Sequence, residues 1–175
     1  MMICNNPCYY EDNGMGGMDF FFLVEKIGLY QGKLVGSLNI VSDDIIHPGN
    51  YILLDLITTI SRLKSIVANL KEEAIPDIGH LNVYDEEECK YRFVFDEGRE
   101  YETGIIDLSF DGLVLYLGYD GDFERVFMCQ ETLFGMGGLD SIIEKRLRKG
   151  TLKKLILKLP DFDINDEELQ EIVYE

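Results

Sequence analysis

The chain has 175 residues, with 33 acids against 16 lysines and arginines, a net charge of −17 and a pI near 4.4. So acidic a balance argues against the basic patch of a nucleic-acid binder and against the polybasic surface that holds anionic lipid. A hydrophobic content of 46%, with ten Phe and ten Tyr, supports a real core, so disorder is not expected, and the length suits one domain over 1–175.

Residues 1–17 are polar and glycine-rich and read as an irregular lead-in. They lack the basic n-region and long apolar h-region of a signal peptide, and the longest apolar run nearby, Phe20 to Val24, is too short to span a bilayer. The four cysteines (Cys4, Cys8, Cys89, Cys129) form no CxxC pair, so a reducing cytoplasm is the expected location.

Met18 to Leu29 and Lys33 to Val41 read as two strands joined at Tyr30-Gln31-Gly32, although Phe20-Phe21-Phe22 leaves the inward face undecided. After a loop over Ser42 to Asn50, Leu53, Leu56, Ile57, Ile60, Leu63, Val67 and Leu70 recur at helical spacing. A helix is expected from Tyr51 to about Leu70, capped by Asn50 and covering a sheet face. Lys71 to Gly79 is a linker, His80 to Tyr84 a candidate short strand, and Asp85-Glu-Glu-Glu88 an exposed acidic knuckle.

Tyr91 to Cys129 reads as an antiparallel meander of about four strands. Tyr91, Phe93 and Phe95 alternate, Asp96 to Glu100 breaks the pattern, and Ile106, Leu108 and Phe110 resume it. Asp111-Gly112 then predicts a two-residue type I′ hairpin into Leu113 to Leu117. Gly118 to Asp122, with a second Asp-Gly, is expected to be a loop before a strand over Phe123 to Cys129.

Leu139, Ile142, Ile143 and Leu147 predict a helix that starts at a Ser141–Glu144 capping box and ends at Lys149-Gly150. Thr151 to Leu159 fits a helix through Leu152, Leu155, Ile156 and Leu159, and a strand through Leu155, Leu157 and Leu159; a helix is the expectation. Pro160 stops it, and an acidic segment over 160–175 holds a short helix from Asn165 to Tyr174. The fold class is therefore α+β: an antiparallel sheet built from the N-terminal hairpin and the central meander, covered by an amphipathic helix, with helices at the C-terminus.

The pattern offers little catalytic chemistry. The glycine clusters at Gly14 to Gly17 and Gly135 to Gly138 match neither a P-loop nor a dinucleotide fingerprint. Asp120, Asp122, Glu124 and Glu131 fall at positions 1, 3, 5 and 12 of a calcium-loop register, but Arg125 stands where that loop needs glycine. His47 and His80 lie far apart, no zinc spacing exists, and no GxSxG is present. No cofactor, no metal and no enzymatic activity are expected.

Charge is the informative signal. Residues 71–124 hold 16 acids and 4 bases, residues 159–175 hold 7 acids and no base, and residues 139–158 between them hold 2 acids and 7 bases. The basic island, Lys145 to Lys158, could serve as a partner site or a nucleic-acid contact, but reads first as the solvated face of amphipathic helices on which the acidic tail can dock.

Four stretches carry a resemblance: Leu29-Tyr-Gln-Gly-Lys-Leu-Val-Gly36, the helix from Tyr51, Phe110-Asp-Gly-Leu113, and Lys149-Gly-Thr151 before an apolar helix. This layout resembles that of bacterial toxin-immunity proteins. These are the small cytoplasmic partners encoded beside contact-dependent growth inhibition and related polymorphic toxins. The resemblance covers most of the chain and implies a tight complex with a cognate toxin domain, often a nuclease. A nuclease is basic in order to hold phosphate, so an acidic partner would be steered to it. The expected interface lies on acidic loops: Asp85, Glu86, Glu87, Glu88, Asp96, Glu97, Glu100, Glu102, Asp120, Asp122 and Glu124, with Tyr101 and Tyr119 as buried anchors. A monomer is expected, without nucleic acid or membrane as partner. The alternative is a secretion chaperone for an effector protein, dimeric with exposed apolar grooves. A small-molecule binder or enzyme is the third reading.

Overall fold

A computed structural model describes residues 8–10, 20–42, 45–47, 53–79, 84–85, 90–91, 106–109, 113–130 and 143–163. The chain divides into two compact units, one formed by Met1–Ala68 with Lys153–Glu175 and the other by Asn69–Leu152. The architecture is α+β with antiparallel sheets, as expected, but the N-terminal hairpin and the meander form separate sheets. Among the described residues no helix is long and apolar enough to cross a membrane.

The first unit is built on the hairpin of β2 (Phe20–Tyr30) and β3 (Lys33–Ser42). Gln31 and Gly32 join them with φ of +51° and +73°, the two positive values that a type I′ turn requires. Strands β1 (Cys8–Tyr10), β4 (Ile45–His47) and β5 (Leu54–Asp55) complete the sheet, with β1 on β2 and both β4 and β5 on β3. The pairing settles the inward face: Phe20, Phe22, Val24, Leu34, Leu38 and Ile40 share one side and are buried. The rings of Phe20 and Phe22 meet edge to face, with centroids 6.5 Å apart.

Helix α1 (Leu56–Asn69) starts later than its apolar spacing suggests. Leu54 and Asp55 pair with Gly36 and Val35 as strand, so the expected span from Tyr51 and the expected Asn50 cap are corrected. The cap is Asp55, whose Oδ1 accepts from the Thr58 amide at 3.1 Å and whose Oδ2 accepts from its hydroxyl at 2.9 Å. Leu56, Ile60, Leu63 and Val67 form the buried stripe, each contributing about 1.5–3 kcal/mol as an upper estimate. Leu56 sits over Gly36, where a Cβ would lie 2.5 Å from its Cδ1 and 2.1 Å from the Glu25 carbonyl oxygen.

In the second unit, β8 (Ile106–Asp107), β9 (Leu113–Asp120), β10 (Phe123–Gln130) and β11 (Ile143–Arg148) run in the order β11-β10-β9-β8, all antiparallel. The register pairs Ile106 with Leu117, the one a two-residue turn at 111–112 would produce, although those two residues lie outside the described ones. Among the described residues, Lys90–Tyr91 (β7) pairs with Tyr84–Asp85 (β6) and not with this sheet. Residues 92–95 lie outside the described ones.

Strand β11 overturns the helix expected over Leu139 to Leu147. From Ile143 to Met128, through to Arg148 against Phe123, its backbone pairs with β10. Glu144, Arg146 and Arg148 alternate with Lys145 and Leu147, a period of two written in charge that an apolar pattern does not register. Leu147 goes into the core, while Glu144 and Arg146 meet ionic partners on the opposite face.

Helix α2 (Thr151–Lys158) follows Gly150, whose φ is +81°. Leu152, Leu155, Ile156 and Leu159 are buried and Leu157 is 44% exposed, so the helical reading of Thr151 to Leu159 holds. The segment after Pro160 begins on the first unit, where Lys64 bonds Asp161 at 2.7 Å and the Lys26 ammonium lies 5.9 Å from the Phe162 ring centroid. The helix expected from Asn165 to Tyr174 lies outside the described residues.

Candidate partner-binding site

Four of the residues expected on acidic loops, Tyr119, Asp120, Asp122 and Glu124, stand at the turn end of the second unit's sheet, and all but Asp122 are in strands. The loop expected over Gly118 to Asp122 reduces to the two residues Gly121 and Asp122. Gly121 has φ +57° and Asp122 is not in the positive region, the signature of a type II′ turn with glycine first. Strand β9 continues to Asp120 because its far edge is also satisfied. Tyr119 N donates to the Pro76 carbonyl at 2.8 Å, and its own carbonyl accepts from Ile78 N at 2.8 Å and Gly79 N at 3.2 Å. Glycine at 118 makes room for this segment, since a Cβ there would lie 2.7 Å from Ile78 Cδ1.

Pairing sorts the side chains onto two faces. Tyr119, Glu124 and Leu147 share the one that also holds Leu115, Leu117, Val126 and Met128. Glu124 is 1% exposed and spans the start of α2. Its Oε2 accepts from Gly150 N at 3.0 Å and its Oε1 from Leu152 N at 2.5 Å. A carboxylate there meets free amide groups and the positive end of the helix dipole. Tyr119 lies directly across from Glu124, and the Lys149 ammonium stands 4.2 Å from its ring centroid. Burial, then the nearby charges of Glu124 and Glu72, push its phenol up to about 12.

The opposite face carries an ionic ladder. Arg125 is buried and donates from Nε and Nη2 to the two Glu144 carboxylate oxygens at 2.6 and 2.7 Å, and from Nη1 to the Gly79 carbonyl at 3.0 Å. Its guanidinium also lies 5.1 Å from the Phe127 ring centroid. Arg146 Nη2 donates to Asp120 Oδ2 and its guanidinium stacks 5.3 Å from the Phe123 centroid. The first part of the basic island is thus a strand at the edge of this sheet rather than the expected helix face, and it consumes acid from within the chain.

Tyr119, Asp120 and Glu124 are therefore corrected: they are buried strand residues engaged with Lys149, Arg146 and the α2 terminus. Asp122 is exposed at the turn, as expected. Asp85 stands in β6 with its backbone opposite Lys90. Glu86, Glu87, Glu88, Asp96, Glu97, Glu100, Tyr101 and Glu102 lie outside the described residues.

Glu72, Glu73 and Asp77 were not singled out from the sequence, and they are exposed. Glu72 and Glu73 form a short 3-10 turn, and Asp77 bridges to Tyr119 through the backbone. With Asp122 they make up exposed acid that forms no ion pair among the described residues. The signal available in the sequence was the excess of acid over 71–124, which includes all four. Such a surface attracts cationic groups.

No family model matches the chain, and neither the curated proteins nor the solved structures contain a match to it.

Proposed function

We propose that the chain is an immunity protein that binds and neutralises a cognate toxin domain, a basic nuclease, in the cytoplasm. The observation that carries this reading is the excess of acid over 71–124, at 16 acids to 4 bases. Within that stretch Glu72, Glu73, Asp77, Asp107 and Asp122 are exposed, while Asp120 and Glu124 are used internally. The interface is assigned to Asp85, Glu86, Glu87, Glu88, Asp96, Glu97, Glu100, Glu102 and Asp122, with Tyr101 as the anchor, and it extends to Glu72, Glu73 and Asp77. Tyr119, Asp120 and Glu124 hold the scaffold beneath it.

Charge of this density acts on the rate of encounter, raising association toward about 10⁸–10⁹ M⁻¹s⁻¹ at low salt. The test is capture of the tagged chain's partner from its own cells with a high-salt wash, followed by stopped-flow association of the captured domain. A stoichiometric basic domain whose association slows, with a flatter salt dependence, when the exposed acids are neutralised in clusters supports the reading. Unchanged kinetics, or no basic partner, refutes it.

One observation favours the chaperone as second reading. On the face of the first unit's sheet opposite α1, Phe21, Leu23 and Val41 are only half-buried and Ile46 is 47% exposed. A dimer by light scattering that retains a non-basic effector segment would favour it over the immunity reading.

A further inference from the structure

His47 is the one histidine of β4, the three-residue strand that pairs with Ile40 to Ser42. It is 4% exposed, and neither Nδ1 nor Nε2 has a hydrogen-bond partner among the described residues. Its cross-strand row is Ile40 and then Phe22, both fully buried. A neutral imidazole left without a partner in such a row is costly, and a charged one costs far more.

Charges around it offer no relief. On β3 the same face carries Leu34, Leu38, Ile40 and Ser42, none of which titrates. On β2 it carries Phe20, Phe22 and Val24, with Lys26 exposed at the far end and facing the Phe162 ring. On α1, whose Leu56 packs on this face, the charged groups are Arg62, which is exposed, and Lys64, which bonds Asp161. Asp55 of β5 lies on the other face and engages Lys33 and Thr58. Among the described residues of these elements, no carboxylate on this face is placed to accept from an imidazolium.

We propose that β4 is an acid-released edge strand: a proton on His47 drives Ile45–His47 off β3 and opens the β3 edge at Ile40 to Ser42. A short terminal strand is the cheapest element of a sheet to open, so the proton is accommodated locally and not by global unfolding. The uncovered edge then presents unpaired amide and carbonyl groups to any other strand. Burial holds the imidazole below its ordinary value of 6.5, which gives the direction: the closed form is favoured above that pH, and opening grows as pH falls below it.

The test is amide hydrogen exchange of the full chain at pH 7.5 and 5.5, corrected for intrinsic rates. Protection over 40–42 and 45–47 is expected to fall up to about tenfold at one pH unit below 6.5, with α1 unchanged. In His47→Leu the ratio should stay near one. Equal loss in the variant, or loss spread across α1, overturns the proposal. Should that variant not fold, a His80→Gln chain leaves His47 as the single imidazole resonance. Titration of that resonance at 6.5 or above, or titration without loss of protection in β4, overturns the proposal equally. A lower midpoint tracking the exchange supports it.

Discussion

Glu124→Ala tests how far the second unit depends on acid turned inward. The side chain is 1% exposed and its two oxygens hold Gly150 N and Leu152 N. Loss of a cap costs about 1 kcal/mol. The buried Leu152 N and the half-buried Gly150 N left without that acceptor add about 1–3 kcal/mol. The expected loss is about 3 kcal/mol, which at about 2–4 °C per kcal/mol for a chain of this size lowers Tm by about 6–12 °C. Glu124→Gln keeps one acceptor and turns an amide donor toward the other N–H, so about half that loss is expected. Asp122→Ala is the control, because its side chain is exposed and only its carbonyl is used, by Lys149 N at 3.2 Å. It should stay within about 0.5 kcal/mol of wild type. The assay is urea unfolding followed by far-ultraviolet circular dichroism, with thermal melts beside it. Glu124→Ala within about 0.5 kcal/mol of wild type, or Asp122→Ala costing more, would refute the reasoning.

Gly36→Ala should cost about 3 kcal/mol in the same assay, because the new Cβ would lie 2.1 Å from a backbone oxygen that cannot swing away. Arg125→Lys should cost about 2 kcal/mol, since an ammonium cannot reproduce the paired bonds to Glu144 together with the one to the Gly79 carbonyl. Tyr119 should titrate near pH 12 by tyrosinate absorbance, above the ordinary phenol range near 10, and Tyr119→Phe should delete that step. The sign follows from linkage. The folded phenol holds its proton above the unfolded value, so this stability is complete below pH 10 and is lost as pH rises toward 12.

Local chemistry was legible and long-range partnership was not. Gln31-Gly32 forms its hairpin because the turn geometry is decided by two adjacent residues. Leu157 and its neighbours resolve into a helix because three-dimensional burial follows a period already present in the sequence. Asp55 displaced Asn50 as the α1 cap because Leu54 first had to pair with β3, a decision taken 18 residues upstream at Gly36. Strand β11 was hidden for the same reason. Glu144 and Arg146 alternate toward Arg125 and Asp120, and neither partner can be read from the segment itself.

The acidic residues at the turn show what this means for function. Asp120 and Glu124 flank Asp122, and sequence treats all three alike. Asp120 is neutralised by Arg146, 26 residues on, and Glu124 by the start of α2, which leaves Asp122 facing water. Arg146 and part of the acid therefore cancel inside the second unit, so its outward charge is not the formal sum of that stretch. What remains exposed among the described acids of the second unit, Glu72, Glu73, Asp77, Asp107 and Asp122, comes entirely from segments that lie outside the ladder of β9, β10 and β11 or at its turn. Under the proposed function, steering of a basic partner by the second unit acts through those positions together with its acids outside the described residues. Neutralising Asp120 or Glu124 should change stability before it changes association.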